Sequence, residues 1–171
     1  MKTLILLVGK SGSGKNWLLE NSMFKSRPVC SYTTRTIREN ETEGIEHYFV
    51  SERFYNLLDK DKMLAYTFYN ECHYWANENE ITVKNKNVYV IDPRGILFFN
   101  KKLEELNLKE ELNIVTVYIN TSLFRRIKNM YDRKDKLINI FKRIIHDFFE
   151  FNIYDLNYDY IIKLKYDKGK K

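Results

Sequence analysis

The stretch Leu4–Glu20, LILLVGKSGSGKNWLLE, constrains this chain more than any other. The apolar run Leu4-Ile5-Leu6-Leu7-Val8 stops at Gly9-Lys10-Ser11-Gly12-Ser13-Gly14-Lys15, and helical spacing follows. The loop fits G-x-x-x-x-G-K, with a strand before it and a helix after it, which is the setting in which that spacing has physical meaning. Glycines let the backbone curl so that successive N–H groups converge on phosphate oxygens, and the helix N-terminus adds partial positive charge. Lys15 then reaches the β- and γ-phosphates as a mobile point charge. Gly9, Ser11, Gly12, Ser13, Gly14, Lys15 and Asn16 are therefore the expected ATP contacts, with Lys15 also catalytic.

The position after the lysine departs from the usual pattern. A Ser or Thr hydroxyl commonly sits there on Mg²⁺, and this chain has Asn16, followed by Trp17. A carboxamide oxygen is a less compact ligand. Mg²⁺ keeps several waters and binds largely through substrate phosphates. The loop is thus expected to take ATP and Mg²⁺, with Asn16 adjusting how the metal is handled.

The rest of the chain reads as one compact α/β unit. Its 171 residues suit a single domain. Apolar runs predict strands at Thr3–Val8, Val88–Ile91, Ile114–Ile119 and Tyr160–Lys165. Helical patterns fall at Lys15–Phe24, at Glu52–Leu58 behind a Ser51 cap, at Gly95–Leu106, at Ser122–Tyr131 and at Leu137–Phe151. Strands alternating with helices imply a mainly parallel sheet. Between Val29 and Trp75 the short runs VCSYTT, EHYFV and MLAYTFY are β-branched and aromatic, and they predict a small β-rich insertion.

Composition narrows the setting. No apolar run approaches the ~20 residues of a membrane span, so no membrane association is expected. The opening apolar run ends at Gly9, with lysines following and no cleavage signal, which predicts a buried strand and not a leader. Cys30 and Cys72 form no CxxC pair and suit a reducing, cytoplasmic compartment. The net charge is +6, but the tail Lys163–Lys171 alone carries five lysines against one aspartate. A frayed basic end is a solvated surface, so no stable nucleic-acid partner is expected. The chain should be a monomer or homodimer.

From Ser31-Tyr32-Thr33-Thr34-Arg35-Thr36-Ile37-Arg38 onward, the sequence resembles the guanylate kinases. The match continues through Glu41-Thr42-Glu43-Gly44, HYFVS at His47–Ser51, the helix opening ERFYNLL, and Asp92-Pro93-Arg94-Gly95. The basic segment Arg125–Arg143 sits where that family keeps an arginine-bearing lid, and DYIIKL from Asp159 resembles its last strand. The resemblance implies a single P-loop domain over 1–171, with a three-layer α/β/α core of about 1–30 and 85–171. A monophosphate-binding insertion would cover about 31–80 and a helical lid about 125–143.

The same resemblance implies transfer of the ATP γ-phosphoryl to GMP, dGMP or a related monophosphate. Arg35 and Arg38 would clamp the acceptor phosphate, a task suited to planar guanidinium donors. Tyr74 would donate its phenol there. Arg126, Arg133 and Arg143 would close over the transferring group as catalytic lid residues, although a solvated helix face is their plain alternative. Asp92 would contact the acceptor or, through water, Mg²⁺; it could equally cap the following helix. Tyr74 is one of thirteen tyrosines and could simply pack. No direct metal-ligand set is expected beyond Asn16 and Asp92 acting largely through water.

Base recognition is where the chain departs from the family. His47 stands where a tyrosine is usual, Ala65 aligns with the acid that reads the guanine edge, and Ala76 aligns with a hydroxyl residue. Ser31 is left as the base contact of the usual kind, together with His47 as a substrate-binding residue. Two alternatives to the kinase keep the same loop: a non-catalytic guanylate-kinase-like module docking phosphopeptides, and a P-loop kinase acting on another small molecule or a nucleic-acid end.

Overall fold

The structure is a computed structural model describing residues 2–21, 28–39, 41–82, 87–154 and 156–164. The chain divides into two compact units: Met1–Leu6 with Lys25–Val115, and Leu7–Phe24 with Thr116–Lys171. Two four-stranded sheets are present among the described residues, and six α-helices accompany them. One sheet has β1 (Lys2–Val8), β6 (Val88–Val90), β7 (Leu112–Ile119) and β8 (Tyr160–Ile162) in the order β6-β1-β7-β8. The four strands expected from apolar runs are these four, and β1 is buried at Leu4, Leu6, Leu7 and Val8, as a strand covered on both faces should be. The fold is a P-loop-type α/β arrangement.

The first unit contains the whole aromatic insertion. Its sheet runs β3-β2-β5-β4, built from β2 (Ser31–Thr33), β3 (His47–Phe49), β4 (Met63–Tyr69) and β5 (Cys72–Asn77). Strands β4 and β5 form a hairpin closed at Asn70-Glu71, both at positive φ (49° and 61°). That is the two-residue turn whose twist matches its strands. β5 was not separated from its surroundings in the sequence, because its run CHYWAN does not alternate simply. Trp75 on β5 is fully buried, stacks on Tyr32 and packs with Tyr55 and Met63.

Two helices in this unit show why their caps were readable. Helix α2 (Glu52–Asn56) begins at Ser51, whose Oγ accepts from the Phe54 amide at 3.1 Å. Helix α4 (Pro93–Glu105) begins two residues before the expected Gly95, because Asp92 caps it: Oδ1 accepts from Gly95 N at 2.6 Å, and Pro93 takes the first helical position. A Cβ at Gly95 would meet Ile91 Cγ1 at 2.7 Å and Asp92 Oδ1 at 3.0 Å, which explains the glycine of that segment. A short helix, α3 (Glu78–Thr82), follows β5.

In the second unit, helix α1 (Lys15–Asn21) leaves the glycine loop; the expected extension to Phe24 falls outside the described residues. β8 runs parallel to the end of β7, Val117 opposite Tyr160, and Asp159 fastens it by accepting from both Thr116 N and Thr116 Oγ1 at 2.7 Å. The basic segment forms α5 (Leu123–Asp132), a turn, and the start of α6 (Leu137–Ile153). Helix α6 reverses the simple amphipathic expectation: Asp147 and Glu150 are buried with Ile140, while Ile138, Phe141, Ile145 and Phe148 are exposed.

Candidate active site

The glycine loop is fastened from one side by α5 and α6. Ser11 donates its amide to Asp147 Oδ2 at 2.8 Å and its hydroxyl to Asp147 Oδ1 at 3.1 Å. Arg126 Nε donates to Ser11 O at 2.9 Å, and its Nη2 pairs with Asp147 Oδ2. Asn129 Nδ2 bonds Gly12 O and Thr121 Oγ1 bonds Ser13 O, each at 2.8 Å. Arg126, Asn129 and Met130 lie at i, i+3 and i+4, so one face of α5 meets consecutive loop residues. Gly12 is required there: it has φ of +73°, and a Cβ would lie 2.5 Å from Arg126 O.

Lys15 arches back across the loop, its ammonium donating to Gly9 O and Lys10 O. Gly14 also takes a positive φ, 94°, as the chain enters α1. Asn16 is exposed, one residue into the helix. Burial, reinforced by the charge of Arg126, lowers the Lys10 pKa, and its ammonium sits 5.4 Å above the Phe151 ring. Beyond β7, a cavity of about 440 Å³ is lined by Asn120, Thr121, Ser122, Arg125, Lys163 and Leu164.

The acceptor candidates gather in the first unit around a carboxylate that sequence reasoning had not assigned a role. Glu41 takes a bidentate fork from Arg35, at 2.9 and 2.8 Å, and accepts from Arg38 through its amide at 3.0 Å and its guanidinium at 3.2 Å. Burial raises the Glu41 pKa, but the hydrogen bonds and charges of both arginines outweigh it and hold the carboxyl below its ordinary range. Burial likewise lowers the Arg35 pKa, and Glu41 with the Tyr74 phenol more than reverses this. Arg35 also lies over the Phe49 ring at 5.3 Å.

His47 completes the cluster. Its Nδ1 is 2.9 Å from Ser31 Oγ, and its ring meets Phe49 and Tyr74 edge-on at 5.8 and 5.7 Å. Burial first, then the charge of Arg35, lowers its pKa to about 4, so the imidazole is neutral at pH 7. Ser31, Arg35, Arg38, His47 and Tyr74 are thus brought together. Asp92 is placed at the start of α4, where Oδ2 also accepts from Thr67 Oγ1 at 2.8 Å. Ala65 and Ala76 face each other across the β4–β5 ladder, both buried. Glu71 sits on the hairpin turn, exposed.

The three basic lid candidates separate into two groups. Arg133 and Arg143 share Asp135 on the turn between α5 and α6, Arg143 at 3.6 Å. Arg126 is not with them: it is buried against the loop and engaged with Ser11 and Asp147. Glu41 and Asp147 are the site residues that the sequence did not single out. Glu41 stood inside the segment Glu41–Gly44, and Asp147 is one of two acids, with Glu150, set among the aliphatic and aromatic residues of IIHDFFEF.

The model of the guanylate kinase family matches residues 1–165. The chain belongs to the guanylate kinase family. It is 29% identical over 142 residues to a guanylate kinase of Mycoplasmopsis synoviae (strain 53), covering 75% of this chain and 71% of that protein. A guanylate kinase of Wigglesworthia glossinidia brevipalpis is 30% identical over 159 residues, covering 86% of this chain and 72% of its own. The crystal structure of guanylate kinase from Anaplasma phagocytophilum shares the fold, with a TM-score of 0.59, 22% identity, and coverage of 96% of this chain and 77% of that one.

Among the described residues, no group of three or more His, Cys, Asp or Glu side chains is placed to hold a metal ion. No described helix is long and apolar enough to cross a membrane.

Proposed function

We propose that this chain is an ATP-dependent nucleoside monophosphate kinase acting on GMP or dGMP, with a looser choice of base than its family implies. The observation that carries the reading is the cluster of Arg35 and Arg38, both directed at Glu41 beside Tyr74 and a neutral His47. Two guanidinium groups so arranged suit a phosphate dianion, whose oxygens can take over the fork now directed at Glu41.

Phosphoryl transfer needs positioning and charge neutralisation more than covalent help. In the proposed reaction an oxygen of the acceptor monophosphate forms a bond to the γ-phosphorus of ATP as the bond to ADP breaks. ADP and a nucleoside diphosphate are the products. Lys15 neutralises the β- and γ-oxygens; Arg35 and Arg38 hold the acceptor; Arg133 and Arg143 are the cations we assign to the lid. The loop fits a triphosphate, because it combines a positive-φ glycine cradle with a lysine turned across it. Mg²⁺ binds largely through substrate phosphates and water and would supply charge neutralisation, with Asn16 as the outer partner on the loop.

The pairing of Ala65 with Ala76 supports the looser base choice. Neither side chain has a hydrogen-bonding group to offer a guanine edge, and a site without such a partner rejects the wrong base weakly. Ser31, joined to His47, is the base contact we retain. We place the enzyme in the cytoplasm, as a monomer or homodimer, without a nucleic-acid or membrane partner. The test is ADP release with ATP and Mg²⁺ against a panel of ribo- and deoxyribonucleoside monophosphates. Turnover with GMP and at least one other base is expected. A folded protein that binds ATP and turns over none of them would overturn the reading.

A further inference from the structure

Three of the seven loop positions from Gly9 to Lys15 are glycine. Such a backbone has the most freedom to lose on ordering, so its shape must be imposed by neighbours. Thr121, Asn129 and Arg126 each bind a loop carbonyl. Asp147 is different. It binds an N–H, and Ser11 is thereby held at its amide, its hydroxyl and its carbonyl by the pair from α6 and α5.

We propose that Asp147 is a positioning residue for ATP binding, which with Arg126 fixes Ser11 and through it the curvature of the phosphate loop. The inference rests on the reading of this loop as an ATP site. The charge arrangement is consistent with it. A lone carboxylate beside a triphosphate site would repel its ligand. Arg126, buried with Asp147 at 6% side-chain exposure each, leaves the pair neutral, so α6 can orient a loop amide without opposing the incoming anion. Arg126 acts here through Ser11 and Asp147.

This assignment and a purely electrostatic one predict opposite signs. If Asp147 only set local charge, removing it would leave Arg126 unopposed and ATP would bind more tightly. If it positions the loop, ATP binds more weakly despite the added positive charge. Calorimetric titration of the full chain with ATP should therefore give a Kd raised about tenfold or more in Asp147→Ala. Asp147→Asn, which keeps an acceptor for the Ser11 amide, should recover part of that loss. Titration with GMP should be unchanged in both.

A thermal melt accompanies each variant, and should Asp147→Ala not fold, Asp147→Asn decides: an ATP Kd raised about threefold or more is expected. An ATP Kd equal to or below that of the unaltered chain, in a folded variant, overturns the assignment. ATP binding without transfer by the unaltered chain would remove the kinase reading and leave the Kd comparison standing. Transfer by that chain with unmoved Kd values would overturn the Asp147 assignment alone.

Discussion

Both units hold an arginine against a carboxylate, and the two pairs do different work. In the acceptor cluster, Arg35 and Glu41 keep 11% side-chain exposure each and Arg38 keeps 32%. In the function proposed for this cluster, an arriving phosphate reaches these cations and replaces one anion by another. Beside the glycine loop, Arg126 and Asp147 are nearly inaccessible, and both also bind the backbone of Ser11. An exchangeable pair is a binding device; a sealed one is scaffolding. The same side chains differ in role because of what surrounds them and what else they bond.

Substitutions separate the two. The largest effect is expected for Arg126→Met, which leaves Asp147 charged and buried: a loss of about 3–5 kcal/mol in denaturant unfolding. A loss within ~1 kcal/mol would erase the distinction between the pairs. Arg35→Met should raise the KM for monophosphate about ten- to a hundredfold with the ATP KM unchanged, since a charge-assisted fork is lost from one substrate only. Equal effects on both substrates would break the division of labour.

His47 offers a third, smaller contrast. Its folded pKa of about 4 lies below the ordinary 6.5, so between those values the unfolded chain holds more protons. Stability should therefore fall on acidification through that window, by up to about 1.4 kcal/mol per pH unit, with the loss complete below pH 4. His47→Phe should flatten that part of the pH profile; an unchanged profile would mean the imidazole is not buried neutral. Smallest is Arg133→Ala, which breaks a half-exposed pair with Asp135 and should cost under ~1 kcal/mol in thermal melts.

Legibility in the sequence followed the reach of each interaction. Ser51 and Asp92 sit at helix starts where a cap acts three residues along, so local pattern revealed them; Ser122, expected as the first residue of its helix, is instead its cap. The glycine loop was readable for the same reason: its spacing from Gly9 to Lys15 lies within seven residues, even though α5 and α6 hold the shape it takes. Asp147 was not, because its partners Ser11 and Arg126 are 136 and 21 residues away and its helix is otherwise rich in apolar side chains. Arg126 was read with Arg133 and Arg143 as one basic stretch, since sequence order cannot show that its side of α5 faces the loop. Glu41 lay in plain view, but its hold on both arginines needs the turn that brings residue 41 back to 35 and 38.

The most direct measurement is transfer of label from [γ-³²P]ATP to GMP by the purified chain, run beside Lys15→Ala. The account predicts β-labelled GDP from the unaltered protein, and a fall of about 10²–10³-fold when the loop cation is removed. Label appearing only as inorganic phosphate, or equal GDP formation by Lys15→Ala, would contradict it.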